Sequence, residues 1–152
     1  MRATSSHGPA SKCSEAGSAM VELALLCPLL LLMLFGSMDF ARVFYTSIAV
    51  ANAARAGAGY GAQSVSKTTD FAGMQSAAAA DASNVQGFTA TATRVCQCAS
   101  GASSDCSVGS CPAGKLLIYA QVTARATYQT VGAYPGIPRT ISLQSIARMR
   151  AQ

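Results

Sequence analysis

Only one histidine, His7, occurs in this 152-residue chain, and only six acids. A Ser-His-Asp or Cys-His site therefore finds no histidine beyond the N-terminal stretch. Past residue 62 the acids are Asp70, Asp81 and Asp105, too scattered for a carboxylate pair, and Asp70 stands where a helix needs a cap. Runs of basic residues are also lacking. The 11 Lys and Arg are spread singly from Arg2 to Arg150 with little aromatic interleaving. A nucleic-acid surface would cluster them, so no nucleic-acid partner is expected. The net charge of +5 reads as a weakly cationic, solvated surface compatible with anionic lipid. Gly57, Gly59 and Gly61 are followed by no Gly-Lys-Ser, so they make no phosphate loop, and they are expected to end a helix. No enzyme activity, cofactor or metal is expected on these grounds.

What the chain does have is a long apolar run. From Leu23 to Met38 there is no charge, and between Ser18 and Met38 the one charged residue is Glu22. That length crosses a bilayer core as a helix, and Leu29 to Leu32 offer no polar face for a small soluble domain. A secretory signal would be shorter and end at a small-residue cleavage site. Here the run ends in Met38-Asp39-Phe40-Ala41-Arg42. Phe40, Phe44, Ile48 and Ala51 continue the helical spacing beyond it, so the span is retained and the helix is expected to reach about Tyr60. Pro28 need not break such a helix. Ala49, Ala53 and Gly57 at four-residue spacing permit close approach of another helix, or express alanine's helix propensity alone.

The expected organisation is a polar, unstructured leader (1–17), a transmembrane and extended helix (18–62) and a small α+β domain (63–152). Asp70 is expected to cap a second helix running to about Asn84, with Phe71, Met74, Ala78 and Ala82 on one face. Three stretches read as strands: Phe88 to Val95, Leu116 to Tyr128 and Arg139 to Arg150, the last two joined by a turn-rich Ala133 to Pro138. In meander order they suit a three-stranded antiparallel sheet with the helix pair over its apolar face.

Four of the six cysteines, Cys96, Cys98, Cys106 and Cys111, crowd into the 96–111 loop. Zinc sites prefer Cys-x(2–4)-Cys pairs, which the one-residue gap of Cys96 and Cys98 does not match. On a strand those two share a face. Two disulfides are expected, with metal binding or free thiols as alternatives, and the pairing is either 96–111 with 98–106 or 96–106 with 98–111. Disulfides belong to an oxidising compartment. This places the domain on the exported side of a single-pass membrane protein whose N-terminus is cytoplasmic.

Glu22 costs about 2.5–3.5 kcal/mol at a membrane helix centre and less near the end, where it sits. It is either an interfacial carboxylate or part of a processing site. If the chain is cut between Gly17 and Ser18, Ser18 carries a new ammonium group and Glu22 becomes the fifth residue. Its carboxylate then neutralises the amine of a neighbouring subunit within an apolar assembly.

A glycine, a glutamate five residues on and a long apolar helix resemble the processing pattern of type IV prepilins. Val21-Glu-Leu-Ala-Leu25, Cys27-Pro-Leu-Leu30, Asp39-Phe-Ala-Arg42 and Asn52-Ala-Ala-Arg-Ala-Gly-Ala58 further resemble the TadE-like family of the tight-adherence (Flp) pilus system. Leu23 stands where that family has an aromatic residue. The resemblance implies roles for Pro28, Asp39, Arg42, Asn52, Arg55 and Gly57 in the membrane-family motif. It also implies a minor pseudopilin that is cut by a prepilin peptidase and acts in pilus assembly. Its partners would be the lipid bilayer, the peptidase, other pilin or pseudopilin subunits and the assembly platform. The alternative is an uncleaved, membrane-anchored periplasmic binding domain unrelated to pili.

Overall fold

A computed structural model describes residues 13–107, 111, 114–132 and 136–152. His7, most of the expected leader and residues 133–135 of the expected turn lie outside them. The elements are α1 (Cys13–Ala62), a single 3-10 turn (Ser66–Thr69), α2 (Phe71–Asp81), β1 (Thr89–Cys98), β2 (Ser103–Ser104), β3 (Leu116–Gln129) and β4 (Thr140–Arg150). Two compact units divide α1: the first ends at Met38, the second is Asp39–Gln152.

In the first unit α1 is a bare apolar rod. Its large side chains are exposed all round, from Leu31 at 46% to Leu25 at 75%. Pro28 sits inside the helix without ending it. Among the described residues this is the one helix long and apolar enough to cross a membrane, with a mean hydropathy of 2.3 in its most apolar window. Residues 13–17, expected to be unstructured, form the first turn of α1.

The second unit is α+β. Its sheet is antiparallel in the order β2-β1-β3-β4, one strand more than expected. The added strand, β2, is two serines returning along β1 after a tight turn: Gly101 N–H donates to Cys98 O at 2.8 Å, and Cys98 N–H to Ala102 O at 2.8 Å. Gly101 has φ +93°, which only glycine adopts without strain. β3 is the spine, pairing Thr89 to Cys98 on one side and Thr140 to Arg150 on the other.

Alternation along β3 sends Ala120, Val122, Ala124 and Ala126 into the core, where they meet Val50, Ala54 and Ala58 of α1 and Met74 and Ala78 of α2. These are small residues apart from Met74, and that is what lets two helices lie close on the sheet. The glycines expected to stop α1 are instead inside it. A Cβ on Gly57 would lie 2.6 Å from the Met74 carbonyl oxygen and 3.1 Å from the Ala78 Cβ, and one on Gly61 would collide with the Met74 side chain and Ala120. Close packing accounts for Gly57 and Gly61, whereas a Cβ on Gly59 would make only an ordinary contact with the Met149 sulfur at 3.8 Å, and α1 runs on to Ala62. The small-residue spacing thus serves a helix of the same chain, α2. Asp70 caps α2 as expected, its carboxylate accepting from Gly73 N–H at 2.9 Å. α2 ends at Asp81 rather than near Asn84, and Phe71 stays 41% exposed while Met74, Ala78 and Ala82 are buried.

Candidate functional site

Gly17, Ser18 and Glu22 lie on the first turns of α1 with exposed side chains. A Cβ on Gly17 would meet nothing within 4 Å. Ser18 and Glu22 are four residues apart, one above the other on one helix face and about 6 Å apart along the axis. The Gly17–Ser18 bond is within the helix, in its first turns. Terminal turns open readily. Pro28 is further along the same bare rod.

Asp39 opens the second unit and is 6% exposed. Its carboxylate accepts from the Tyr128 hydroxyl at 3.2 Å, Val131 N–H at 3.3 Å and Gly132 N–H at 3.2 Å. A buried carboxylate is costly unless hydrogen bonds replace its water, and charge-assisted bonds from two backbone amides and a phenol do that. The result clamps the end of β3 and the start of its loop onto α1. Burial raises the Tyr128 pKa, and the hydrogen bond and negative charge of Asp39 raise it further, while exposed Arg42 acts in the opposite direction. These partners stand 89, 92 and 93 residues from Asp39. Sequence reasoning singled out Asp39 and Arg42 by resemblance but not Tyr128, Val131 or Gly132, and no local signal points to them.

The segment 52–58 divides by face. Asn52 and Arg55 are exposed, with the guanidinium 3.5 Å from the Asn52 Oδ1. Ala53, Ala54, Gly57 and Ala58 are buried. A second polar cluster closes the far end of α1: the Tyr60 hydroxyl donates to Asp70 at 2.8 Å, and Lys67 Nζ stands 4.6 Å above the Tyr60 ring. Two hydrogen bonds, from Gly73 N–H and then from Tyr60, hold the Asp70 carboxyl below its ordinary pKa. Bonded to that carboxylate, Tyr60 is raised.

The cysteines form two disulfides, Cys96–Cys106 and Cys98–Cys111, with Cα separations of 5.2 and 5.8 Å. Cys96 and Cys98 are both buried on the helix-covered side of β1, and between them they staple the loop that follows. Cys27 is free and exposed on α1. Among the described residues no three His, Cys, Asp or Glu side chains gather as a metal cradle.

The family model described as TadE-like protein matches residues 17–59. That stretch lies within α1 and holds every motif residue from Gly17 to Gly57, including Asp39. The domain beyond it is outside the match. No curated protein and no solved structure matches the chain.

Proposed function

We propose that this chain is a minor pseudopilin-like subunit that acts, without enzymatic activity, in assembly of a tight-adherence pilus. The observation that carries this reading is the outer face of α1 past Met38. Phe40, Phe44 and Ile48 follow at four-residue spacing and are 73%, 60% and 45% exposed. Within the second unit they form an apolar row on the side of α1 that neither sheet nor α2 covers. Large apolar side chains in such a row are what a helix of a neighbouring subunit would cover. The TadE-like match over residues 17–59 supports the same reading.

In this reading the domain lies outside the inner membrane, in the periplasm, and the N-terminus in the cytoplasm. Two disulfides support this orientation. The prepilin peptidase cuts the Gly17–Ser18 bond, and the Glu22 carboxylate pairs with the new amine of an adjacent subunit, in the apolar surroundings where such a pair counts most.

Intact mass of the membrane-extracted protein, from hosts with and without a prepilin peptidase, tests the reading. A chain shorter by residues 1–17 only in the peptidase host is expected, as is precursor alone for Gly17→Phe. Glu22→Gln should insert and be cut but fail to assemble. Full-length protein in both hosts would overturn the reading and leave the uncleaved anchored domain.

A further inference from the structure

The helices cover one face of the sheet, and the other face is open. The register places Thr91, Thr93, Gln97, Gln121 and Thr123 across its middle, with Tyr119 and the half-buried Val95 and Leu117 among them. Along β4, the edge strand, stand Gln144, Ile146, Arg148 and Arg150, with Arg125 opposite Gln144. No open-face position of β1, β3 or β4 is acidic. Asp105 follows β2, and its carboxylate accepts from its own loop at Ser107 N–H, 2.9 Å.

Neutral groups hold the arginines in place. Arg125 Nε donates to Gln144 Oε1 at 3.1 Å, Arg148 donates to Gln97 Oε1 at 3.3 Å, and the Arg148 guanidinium lies 4.2 Å from the Tyr119 ring centroid. Such contacts orient a guanidinium without cancelling its charge. Arg148 and Arg150 share a face two residues apart, about 7 Å, and Arg125 lies about 13 Å further along the strand direction. At the Arg150 end a cavity of about 510 Å³ reaches Lys115 and Arg150, but Val65, Leu116 and Ile118 line it from the helix-covered side.

From this row of cations we infer that the open face binds a linear anionic polysaccharide, its acid groups running along β4 and its hydroxyls meeting the threonine and glutamine field. A protein partner would need apolar or aromatic anchors. On this face the Tyr119 ring is covered by Arg148, and Ile146, 57% exposed, is the one large aliphatic side chain standing well clear of the sheet. The inference stands on the sheet alone and is independent of cleavage or pilus assembly.

The test uses the full-length chain in detergent, with polygalacturonate immobilised as probe and neutral dextran and polyglutamate as comparisons. Salt-sensitive binding to polygalacturonate, absent on dextran and weaker on polyglutamate, is expected. Arg148→Gln with Arg150→Gln should weaken it by about tenfold or more, while Arg148→Lys with Arg150→Lys retains most of it. Removing two charges elsewhere, by Lys67→Gln with Arg139→Gln, should leave it within about twofold. No binding to polygalacturonate, equal or tighter binding to polyglutamate, or equal loss in the Lys67 and Arg139 pair would each overturn the inference.

Discussion

Along α1 the large side chains give way to small ones after Ile48, inside the unit that begins at Asp39. Up to Met38 the large ones are mostly Leu, with Met and Phe, exposed on every side. From Val50 to Ala62 the helix is mostly alanine and glycine, with Val50, Ala53, Ala54 and Ala58 at 0–1% exposure. Both stretches are helical, yet opposite surroundings select their residues. Large apolar side chains fill the contacts that lipid offers, whereas small ones let a sheet and a second helix come within backbone distance. A substitution should therefore act differently in the two stretches, and the disulfide-stapled domain should respond where the bare helix does not.

The largest effect should come from the disulfides. They close loops of sequence separation 10 and 13, and each stabilises the domain by roughly 3 kcal/mol. Replacing all four cysteines by serine should abolish protease resistance of the domain at 37 °C while leaving membrane insertion unchanged. Non-reducing peptide mapping should return Cys96 with Cys106 and Cys98 with Cys111. Stability equal to that of the unaltered chain would place the domain's stability in its apolar core alone.

Next is the glycine comparison. Gly57→Val drives a side chain into the Met74 carbonyl and the Ala78 methyl, at a cost of about 3 kcal/mol. The same change at Gly36, where a Cβ meets nothing within 4 Å, should leave the thermal midpoint unaltered. If both were tolerated, the close approach of α1 and α2 would be wrong.

These glycines also mark how far the sequence could be read. Length and lack of charge identify the span, period-two alternation identifies β1, β3 and β4, and the parity of Cys96 and Cys98 puts both on one face. The role of Gly57 depends on what packs there, which no local pattern carries, so it reads as a helix stop. β2 is missed because Ser103 and Ser104 lie in a serine- and glycine-rich loop with no apolar alternation. The disulfide pairing stays open because both arrangements close short loops. Asp39 is singled out by its motif, but its clamp joins residues about 90 positions apart.

That clamp supplies the third effect. Asp39→Ala strands the Val131 and Gly132 amides and should destabilise the domain by about 2 kcal/mol, loosening the chain after β3 in hydrogen exchange before the core of β3. An alkaline limb accompanies it. The Tyr128 pKa is raised above 10.0, so the folded state holds the phenol proton more tightly than the unfolded chain. The associated stability is complete below pH 10.0 and declines as pH rises through the higher folded value. In Tyr128→Phe this part of the alkaline decline should disappear. An unchanged slope would mean that the phenol proton is not held by the clamp.

The smallest effect belongs to Asp70, at the opposite end of the domain and fully in contact with water. Its carboxyl is held below 3.8, chiefly by Gly73 N–H and then by the Tyr60 hydroxyl. The folded state therefore binds that proton less readily than the unfolded chain. Its contribution is present above pH 3.8 and is lost as pH falls through the lower folded value. Asp70→Asn keeps a capping oxygen but cannot ionise, so the variant should be slightly less stable than the unaltered chain at neutral pH. Because the other carboxyls titrate in both proteins, the difference between the two melting curves isolates this one. It should shrink as pH falls below 3.8 and close where Asp70 is protonated. A gap that stays constant across the acid range would show that the cap acts through geometry alone, without its charge.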